Sequence, residues 1–287
     1  MKIALGTAQF GVDYGIANTS GRVITSEAKN ILMHAKNFGV DTLDTAISYG
    51  LSEKCLGDIG VDDYKVVTKL PEIPSDCKNL SLWVNSHIKT SLKNLKTKSL
   101  YGLLLHRPSQ LLDKNGIGLW DILLKLKSLG IVKKIGFSIY TPEELDKLWS
   151  KFKPDLVQSP FSILDRRLET SGWLQRLKEE DVEVHIRSIF LQGLLLMSKK
   201  NRPLKFNKWE STWDEWEDWL VNNNISSLQA TISFALSDAR ISKVIVGVDN
   251  LNQFEKIVSA SQNISKYPKS FYIKNESILN PSEWHLL

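Results

Sequence analysis

The chain has 287 residues, 42% of them hydrophobic and 24% charged, a balance typical of a globular protein with a sizeable core. Its 37 basic residues exceed its 32 acidic residues only slightly, and no Lys/Arg run is longer than two residues, so no nucleic-acid-binding surface is predicted. The chain starts without a signal-peptide pattern, and no apolar run approaches the roughly 18 residues that span a bilayer, which predicts a cytoplasmic protein without a membrane span. The two cysteines have no CxxC spacing, which predicts reduced thiols and no metal site.

Eight short apolar or β-branched runs follow one another along the chain, each separated from the next by a segment with helical features. They cover residues 2–6, 41–45, 65–69, 101–106, 132–138, 155–159, 182–188 and 243–247. Eight strand–helix units in a chain of this length predict a single-domain α/β protein, a (β/α)8 TIM barrel that spans residues 1–287. A doubly wound sheet is the alternative, but no GxGxxG spacing follows the first strand.

Two of the intervening segments carry distinct helix-start signals. In TSEAKNILMHAKNFG, Ser26 is a candidate N-cap and Gly39 a candidate stop. In TPEELDKLWSKF, Thr141 is the candidate cap, Pro142 suits the first helical position and Glu144 would complete a capping box. Both segments are therefore predicted to be helices.

A tryptophan-rich segment, at about residues 198–224, is predicted to be an insertion between strands seven and eight. Its tryptophans, at steps of four, three and three, lie along one helical stripe: Trp209, Trp213, Trp216 and Trp219. Packing against the barrel is the favoured explanation. Stacking on a sugar is the alternative, because barrel enzymes build their sites from the loops that follow the strands.

Polar or small residues stand at the end of each predicted strand, where a barrel of this kind builds its active site. In chain order these strand-end residues are Gly6, Thr7, Asp44, Lys69, His106, Ser138, Gln158, Arg187, Ser188 and Gly247. Side chains alternate along a strand, so Lys69 shares a face with Val67. Several polar side chains on one rim are hard to explain by packing, and they predict a functional site. His185, two residues before Arg187, is instead expected in the core.

Tyr49 adds a phenol to this rim, five residues after Asp44. An unperturbed phenol titrates near pH ~10, so a role as general acid requires its pKa to be shifted. We expect Lys69 to lower that pKa by favouring the phenolate, and Asp44 to keep the lysine charged and oriented. A neutral His106 would hydrogen-bond the substrate oxygen and orient a carbonyl towards Tyr49. These residues predict proton donation to a carbonyl oxygen while hydride reaches its carbon.

At these residues the sequence resembles the aldo/keto reductase family. The motifs that carry the resemblance occur in the family's order within residues 1–258: DTAISYGLSEKCLG, VVTKL, LLLHRP, KKIGFSIYTPEEL, LVQSPFSILDRR and FLQGLLL. The resemblance implies that Tyr49 is the general acid, that Lys69 and Asp44 tune it, and that His106 orients the carbonyl. It also implies a nicotinamide cofactor, usually NADPH. The expected cofactor contacts are Ser138 and Gln158 at the carboxamide, with Gly6, Thr7, Asp44, Ser188 and Gly247.

Three positions depart from the family's pattern. Ile139 stands where the family has an asparagine, which removes one expected carboxamide contact. Arg187 stands where many members stack an aromatic ring on the nicotinamide, and a guanidinium plane can also stack there. Asp249 stands near the position where NADPH-selecting members commonly carry Arg or Lys. It would repel a 2′-phosphate or accept a hydrogen bond from a free 2′-hydroxyl, so NADPH is the expected cofactor and NADH the alternative.

The stretches LGTAQFGVDYGIAN and RSIFLQGLLL resemble a subgroup associated with bacterial surface-polysaccharide and nucleotide-sugar metabolism. This resemblance implies a small carbonyl or sugar-like substrate. Tyr14, Arg107 and Arg166 are candidate pocket residues, and surface or packing roles are equally open for each.

Two other functions stay open at this point. One is a non-catalytic module that binds the cofactor and a protein partner. The other is a Schiff-base aldolase using Lys69, which needs a neutral amine, whereas Asp44 would keep the lysine charged. Substrate identity, the direction of hydride transfer and the oligomeric state do not follow from the sequence.

Overall fold

The computed structural model describes residues 1–281 and 283–287. In that part of the chain, eight parallel strands close into a barrel in sequence order. They are β1 (Ile3–Gly6), β2 (Thr42–Asp44), β3 (Lys65–Leu70), β4 (Leu100–Leu105), β5 (Val132–Ser138), β6 (Leu156–Pro160), β7 (Glu183–Arg187) and β8 (Lys243–Gly247). The predicted barrel is confirmed, and each strand boundary lies within one residue of its predicted position.

The α-helices of the described residues pack around the outside of this barrel. They are α1 (Thr25–Asn37), α2 (Ser52–Ile59), α3 (Leu80–Leu95), α4 (Gly116–Ser128), α5 (Glu143–Leu148), α6 (Arg167–Thr170), α7 (Trp173–Glu179), α8 (Glu210–Asn223), α9 (Ser227–Ser237), α10 (Leu251–Gln262) and α11 (Glu276–Leu279). Among the residues described, no helix is long and apolar enough to cross a membrane, and no group of His, Cys, Asp and Glu could hold a metal ion.

The predicted helix starts are met in part. Helix α1 begins at Thr25 without a side-chain cap, so Ser26 lies inside its first turn and is not the predicted N-cap. At α5, Glu144 Oε2 accepts hydrogen bonds from the backbone N–H groups of Thr141 at 3.1 Å and Tyr140 at 2.6 Å. This is the glutamate half of the predicted capping box. The other half is wrong, because the N-cap residue is Pro142 and no side chain caps the helix.

The barrel interior is filled by side chains that alternate inward along the strands. Val67, Leu104 and Leu156 are fully buried there as one cluster, with Tyr101 packed beneath them. Strands β5 and β6 approach each other closely at Gly136, where a Cβ atom would lie 1.7 Å from the carbonyl oxygen of Leu156. Only glycine fits that approach, and it brings Ser138 and Gln158 into register at the strand ends.

The tryptophan stripe lies on and next to α8, between β7 and α9, and it faces the protein interior. Trp213 and Trp216 are each 1% exposed, and their indole N–H groups donate to the carbonyl oxygens of Phe206 at 3.0 Å and Leu195 at 3.2 Å. Trp219 stacks on Trp216 with ring centroids 6.1 Å apart. The stripe is therefore buried inside the protein, and none of its tryptophans lines the cavity formed by the described residues at the strand ends.

Candidate active site

A buried ion pair lies at the carboxyl ends of β2 and β3. Lys69 Nζ donates to both carboxylate oxygens of Asp44 at 2.8 Å and to the carbonyl oxygen of Thr45 at 2.9 Å. Gln158 Nε2 on β6 donates to Asp44 Oδ1 at 2.6 Å. Burial lowers the pKa of Lys69, and Asp44 opposes that shift. The two carboxylate oxygens of Asp44 and the carbonyl oxygen of Thr45 match the three donors of an ammonium group. The geometry therefore fits a charged lysine held in place by Asp44.

Tyr49 reaches over this pair from the loop that follows β2. Its ring centroid lies 5.1 Å from Lys69 Nζ. The loop packs directly on Gly11, where a Cβ atom would lie 1.7 Å from the carbonyl oxygen of Tyr49. Gly50 has a φ of +55°, a conformation that glycine adopts without steric penalty. These two glycines let the chain turn tightly enough to place the phenol above the ion pair.

The pKa of Tyr49 differs from the prediction. Burial raises it well above its usual value of 10.0, and the negative charge of Asp44 raises it further. The predicted lowering by Lys69 is wrong, because burial and the Asp44 carboxylate together raise this pKa. Arg187 is the cation that opposes the rise. Tyr49 is consequently a protonated phenol at neutral pH.

His106 lies beside Tyr49, immediately after β4. The two rings meet edge to face with centroids 6.0 Å apart, and His106 Nδ1 lies 3.3 Å from Ser48 Oγ. Burial lowers the pKa of His106 to about 3, and the positive charges of Lys69, Arg187 and Arg107 act in the same direction. The imidazole is therefore neutral at physiological pH, and it carries a single N–H donor.

A cavity of about 790 Å³ opens above these residues at the carboxyl ends of the strands. The predicted site residues that line it are Gly6, Thr7, Asp44, Tyr49, His106, Ser138, Arg187, Ser188, Gly247 and Asp249. Lys69 and Gln158, the other two, lie beneath the cavity in contact with Asp44. Gln158 Oε1 is buried and has no hydrogen-bond partner among the described residues. All the predicted residues thus lie in one region.

Sequence reasoning missed other residues of the cavity wall. Those with polar side chains include Gln9, Asn18, Tyr140, Gln192, Asn201, Gln253 and Lys256. Tyr140 stands two residues after β5 and could have been found by the strand-end rule that found Ser138. Gln192 could not, because it joins two loops far apart in sequence: its Oε1 accepts from the Ile16 N–H at 3.3 Å, and its Nε2 donates to Tyr14 Oη at 3.4 Å.

The candidate pocket residues named from the sequence separate into two groups. Tyr14 lines the cavity. Arg107 is exposed and does not line it, but its guanidinium carbon lies 4.8 Å from the ring centroid of Tyr140, which does. Arg166 lies elsewhere, where it donates to the carbonyl oxygens of Pro268 at 2.6 Å and Lys269 at 2.5 Å. Arg166 is therefore excluded from this cavity.

The segment after β7 has an unusual backbone. Ser188, Leu191 and Gln192 have φ values of 61°, 47° and 53°, a region that costs non-glycine residues free energy. Such conformations persist where surrounding contacts impose them, and they cluster at binding sites. Ser188 and Gln192 both line the cavity, so the strained segment forms part of its wall.

Arg187 lies against the position that departs from the family's asparagine. Its Nη2 donates to the carbonyl oxygen of Ile139 at 3.0 Å, its Nη1 lies 3.4 Å from Ser188 Oγ, and its guanidinium carbon lies 4.8 Å from the ring centroid of Tyr140. The guanidinium is thus fixed at the cavity wall by neutral groups.

Asp249 lines the cavity, at the start of the loop after β8. Its N–H donates to Gln253 Oε1 at 2.8 Å, and Gln253 Nε2 donates to its Oδ2 at 3.3 Å. Its Oδ1 is buried and lacks a hydrogen-bond partner among the described residues. Burial raises the pKa of Asp249, and Gln253 partly opposes the rise. A hydrogen-bond donor from a ligand would therefore stabilise this carboxylate.

A (β/α)8 barrel with ionisable side chains at the carboxyl ends of its strands has the architecture of a TIM-barrel enzyme. The sequence matches the model of the aldo/keto reductase family over residues 2–278, and the chain belongs to that family. A curated relative, an aldo-keto reductase of Gibberella moniliformis, is 28% identical over 191 residues. That match covers 62% of this chain and 56% of the relative, so the chain spans a little over half the length of that protein.

Solved structures of aldo-keto reductases share the fold. A putative aldo-keto reductase of Pseudomonas aeruginosa superposes with a TM-score of 0.67 at 19% identity, over 91% of this chain and 89% of that chain. An aldo-keto reductase of Bacillus halodurans in its holo form superposes with a TM-score of 0.71 at 21% identity, over 91% and 87%. At these identities the likeness establishes the shared barrel alone.

Proposed function

We propose that this protein is an NAD(P)H-dependent oxidoreductase that reduces an aldehyde or ketone to an alcohol, or catalyses the reverse reaction. One observation carries the proposal: a protonated phenol and a neutral imidazole stand side by side at the cavity, above a buried ion pair. Such a pair can hold a carbonyl oxygen between two hydrogen-bond donors. Membership of the aldo/keto reductase family supports the same chemistry.

The cavity fits a nicotinamide dinucleotide. Its volume of about 790 Å³ is that of a cofactor site. Two buried acceptor atoms have no partner among the described residues: Asp249 Oδ1 in the cavity wall and Gln158 Oε1 beneath the cavity, next to Asp44. A carboxamide N–H and a ribose hydroxyl are donors of the kind they need. When bound, the nicotinamide would supply the hydride.

The proton would come from Tyr49. As negative charge develops on the carbonyl oxygen, the Tyr49 hydroxyl donates its proton and the N–H of His106 stabilises the oxygen. The phenolate left behind lies near Lys69 Nζ, 5.1 Å from the ring centroid, and within the field of Arg187, which favours the ionised phenol. In the oxidation direction the same phenolate would accept the hydroxyl proton.

For the cofactor, we propose NADPH on the family resemblance, with NADH as the alternative that Asp249 favours. Lys256, on α10 in the same wall, offers a cation to a 2′-phosphate, whereas Asp249 Oδ1 offers an acceptor to a free 2′-hydroxyl. The ratio of kcat/KM for NADH and NADPH decides between them. If this loop faces the adenosine ribose, Asp249→Arg shifts the ratio towards NADPH; an unchanged ratio contradicts that placement.

The test of the reaction itself is Tyr49→Phe. Loss of a general acid typically costs about 10²–10⁴-fold in rate, so turnover should fall by at least about 10²-fold. Cofactor binding, followed by quenching of tryptophan fluorescence, should persist. Full turnover in this variant would refute the general-acid role. If the wild type binds the cofactor yet turns over no aldehyde, keto-sugar or nucleotide sugar in a panel, it is a binding module instead.

A Schiff-base aldolase is disfavoured by the surroundings of Lys69. The side chain is 1% exposed and bonded to both oxygens of Asp44, so no neutral amine faces the cavity. Borohydride trapping with substrate should therefore leave Lys69 unlabelled. A sugar-like substrate from surface-polysaccharide or nucleotide-sugar metabolism, and a cytoplasmic location, belong to the same proposal as expectations from the sequence.

A further inference from the structure

Two arginine side chains meet on one aromatic ring at the edge of the cavity. The guanidinium carbons of Arg107 and Arg187 each lie 4.8 Å from the ring centroid of Tyr140. Arg107 directly follows His106, Tyr140 follows β5 by two residues, and Arg187 ends β7. Since an aromatic face attracts a guanidinium group, Tyr140 holds both cations beside the residues that would bind the carbonyl.

Neither arginine has an acid partner among the described residues. The side-chain hydrogen bonds of Arg187 go to the carbonyl oxygen of Ile139 and to Ser188 Oγ. Three other arginines of this protein pair with carboxylates: Arg167 with Asp165 at 2.8 Å, Arg202 with Glu217 at 2.9 Å, and Arg240 with Asp238 at 2.5 Å. A guanidinium group has five N–H donors, so Arg107 and Arg187 keep donors free for a ligand.

The remaining charges near the carbonyl-binding residues do not neutralise these two cations. Lys69 and Asp44 form a closed pair, and Asp249 lies at the β8 end of the cavity. The positive charges of both arginines act on His106, whose pKa they help to lower. Arg107 is exposed and Arg187 is half-buried at the cavity wall, so a substrate that covers Arg187 with neutral groups would remove water from its charge without replacing it.

We propose that the substrate carries an anionic oxygen group, a carboxylate or a phosphate, that binds to Arg107 and Arg187 around Tyr140. Planar guanidinium groups match both anions through paired N–H donors. This inference rests on the proposed carbonyl reduction and adds the chemical class of the substrate. It identifies Arg107 and Arg187 as residues that determine specificity, and Tyr140 as the residue that positions them.

Matched pairs of aldehydes test the inference at saturating cofactor. Succinic semialdehyde is compared with its neutral carboxamide analogue, and glyceraldehyde phosphate with glyceraldehyde. In at least one pair, kcat/KM should be higher for the anion by roughly tenfold or more, the size expected of one charge-assisted contact. A preference in the first pair indicates a carboxylate, and a preference in the second indicates a phosphate. Equal kcat/KM values within both pairs would overturn the inference.

Variants assign that preference to the two arginines. In Arg107→Gln and Arg187→Gln the ratio of kcat/KM between anion and neutral analogue should fall towards one, mainly through KM of the anion, and Arg107→Lys should restore part of it. Arg176→Gln is the matched control, because Arg176 also stacks on an aromatic ring, 4.6 Å from the centroid of Trp173, but on α7 outside the cavity. If Arg187→Gln weakens only cofactor binding and Arg107→Gln leaves the ratio unchanged, the inference is wrong.

A binding measurement separates this inference from the reaction. Succinate and glycerol phosphate are titrated against the wild-type protein and Arg107→Gln by isothermal titration calorimetry. If no aldehyde is reduced but one of these anions binds the wild type at least tenfold more tightly than the variant, the proposed reaction fails and the anion site stands. If aldehydes are reduced without discrimination and neither anion binds, the reaction stands and the anion site fails.

Discussion

The two ends of the barrel carry the same kinds of charged residue, but the amino end pairs its lysines with acids more completely. There, Lys65 pairs with Asp41 at 2.8 Å, Lys243 pairs with the same carboxylate, and Lys134 pairs with Glu183 at 2.6 Å. Although burial acts in the opposite direction, hydrogen bonds from Lys243 and Lys65 hold the pKa of Asp41 below its usual range. The charges at this end compensate one another within the protein.

Glu183 extends this network into the barrel interior. It lies 2.6 Å from His185 Nε2 through Oε1, and its Oε2 accepts a hydrogen bond from Tyr101 at 2.7 Å. Although burial raises it, hydrogen bonds from His185 and Lys134 lower the pKa of Glu183 to about 2. His185 is fully buried in the core, as expected from the sequence. Its acid partner, Glu183, was not predicted from the sequence.

At the carboxyl end the pairing is incomplete. Lys69 and Asp44 form a closed pair, whereas Arg107 and Arg187 lack a carboxylate partner among the described residues. Strand β3 carries a lysine at each end on one face, Lys65 and Lys69, so residue type alone does not distinguish a structural network from a site. The difference lies in whether neighbouring acids neutralise the cations and whether a cavity lies beside them.

The largest expected difference between the two ends comes from removing these two lysines. Lys69→Met leaves Asp44 buried without its partner, which costs about 3–5 kcal/mol in unfolding free energy. It should also abolish turnover, because Asp44 then raises the pKa of Tyr49 with Arg187 alone in opposition. Lys65→Met is the matched control on the same strand: its side chain is 48% exposed, so about 1 kcal/mol or less is expected. Urea unfolding measures both, and equal losses would contradict the comparison.

The next effect concerns His106 and pH. Removal of one preorganised donor costs about 10²–10³-fold in kcat, so His106→Ala should lose activity in that range. Because the pKa of His106 is about 3 in the fold against 6.5 when unperturbed, its imidazole stays neutral between about pH 5 and about pH 8. A kcat/KM limb near pH ~6.5 that disappears in this variant would contradict the lowered pKa.

The same shift predicts the sign of a stability change. Between pH values of about 3 and 6.5, the unfolded chain binds a proton at His106 that the folded protein does not bind. The contribution of His106 to stability therefore falls as pH decreases through this window. His106→Phe should lessen the acid sensitivity of the unfolding free energy, and an unchanged pH dependence would count against the assignment.

At the amino end, Glu183→Gln should reduce stability and leave the reaction intact. It removes the charged acceptor of Lys134 and His185, and hydrogen bonds to charged groups contribute about 1.5–3 kcal/mol. The folded pKa of Glu183 is about 2, below its usual 4.5, so its contribution is present above about pH 4.5 and is lost as pH falls towards 2. The difference in unfolding free energy between wild type and variant should therefore shrink in acid. A large loss of kcat would show that the two ends are coupled.

The sequence predicted the barrel and its rim because strand alternation is local: in VVTKL the pattern itself directs Val67 and Lys69 to one face. What it could not predict depends on distances across the barrel. The pKa of Tyr49 is set by its burial and by Asp44. Similarly, Gln192 lines the cavity through hydrogen bonds to Ile16 and Tyr14, which lie in a loop far from it in sequence. Neither the pairing of acids with cations nor the absence of pairing can be read from spacing along the chain.

The smallest effect should come from Ser48, which lies 3.3 Å from His106 Nδ1. If its hydroxyl donates to Nδ1, the proton of the neutral imidazole resides on Nε2, so that Nε2 is the donor available to a carbonyl oxygen. Ser48→Ala removes that bias and should lower kcat about threefold, less than one net hydrogen bond is typically worth, while Ser48→Thr should preserve it. Nitrogen NMR of the His106 ring reports the tautomer directly. An unchanged tautomer in Ser48→Ala would show that the Ser48 hydroxyl does not determine it.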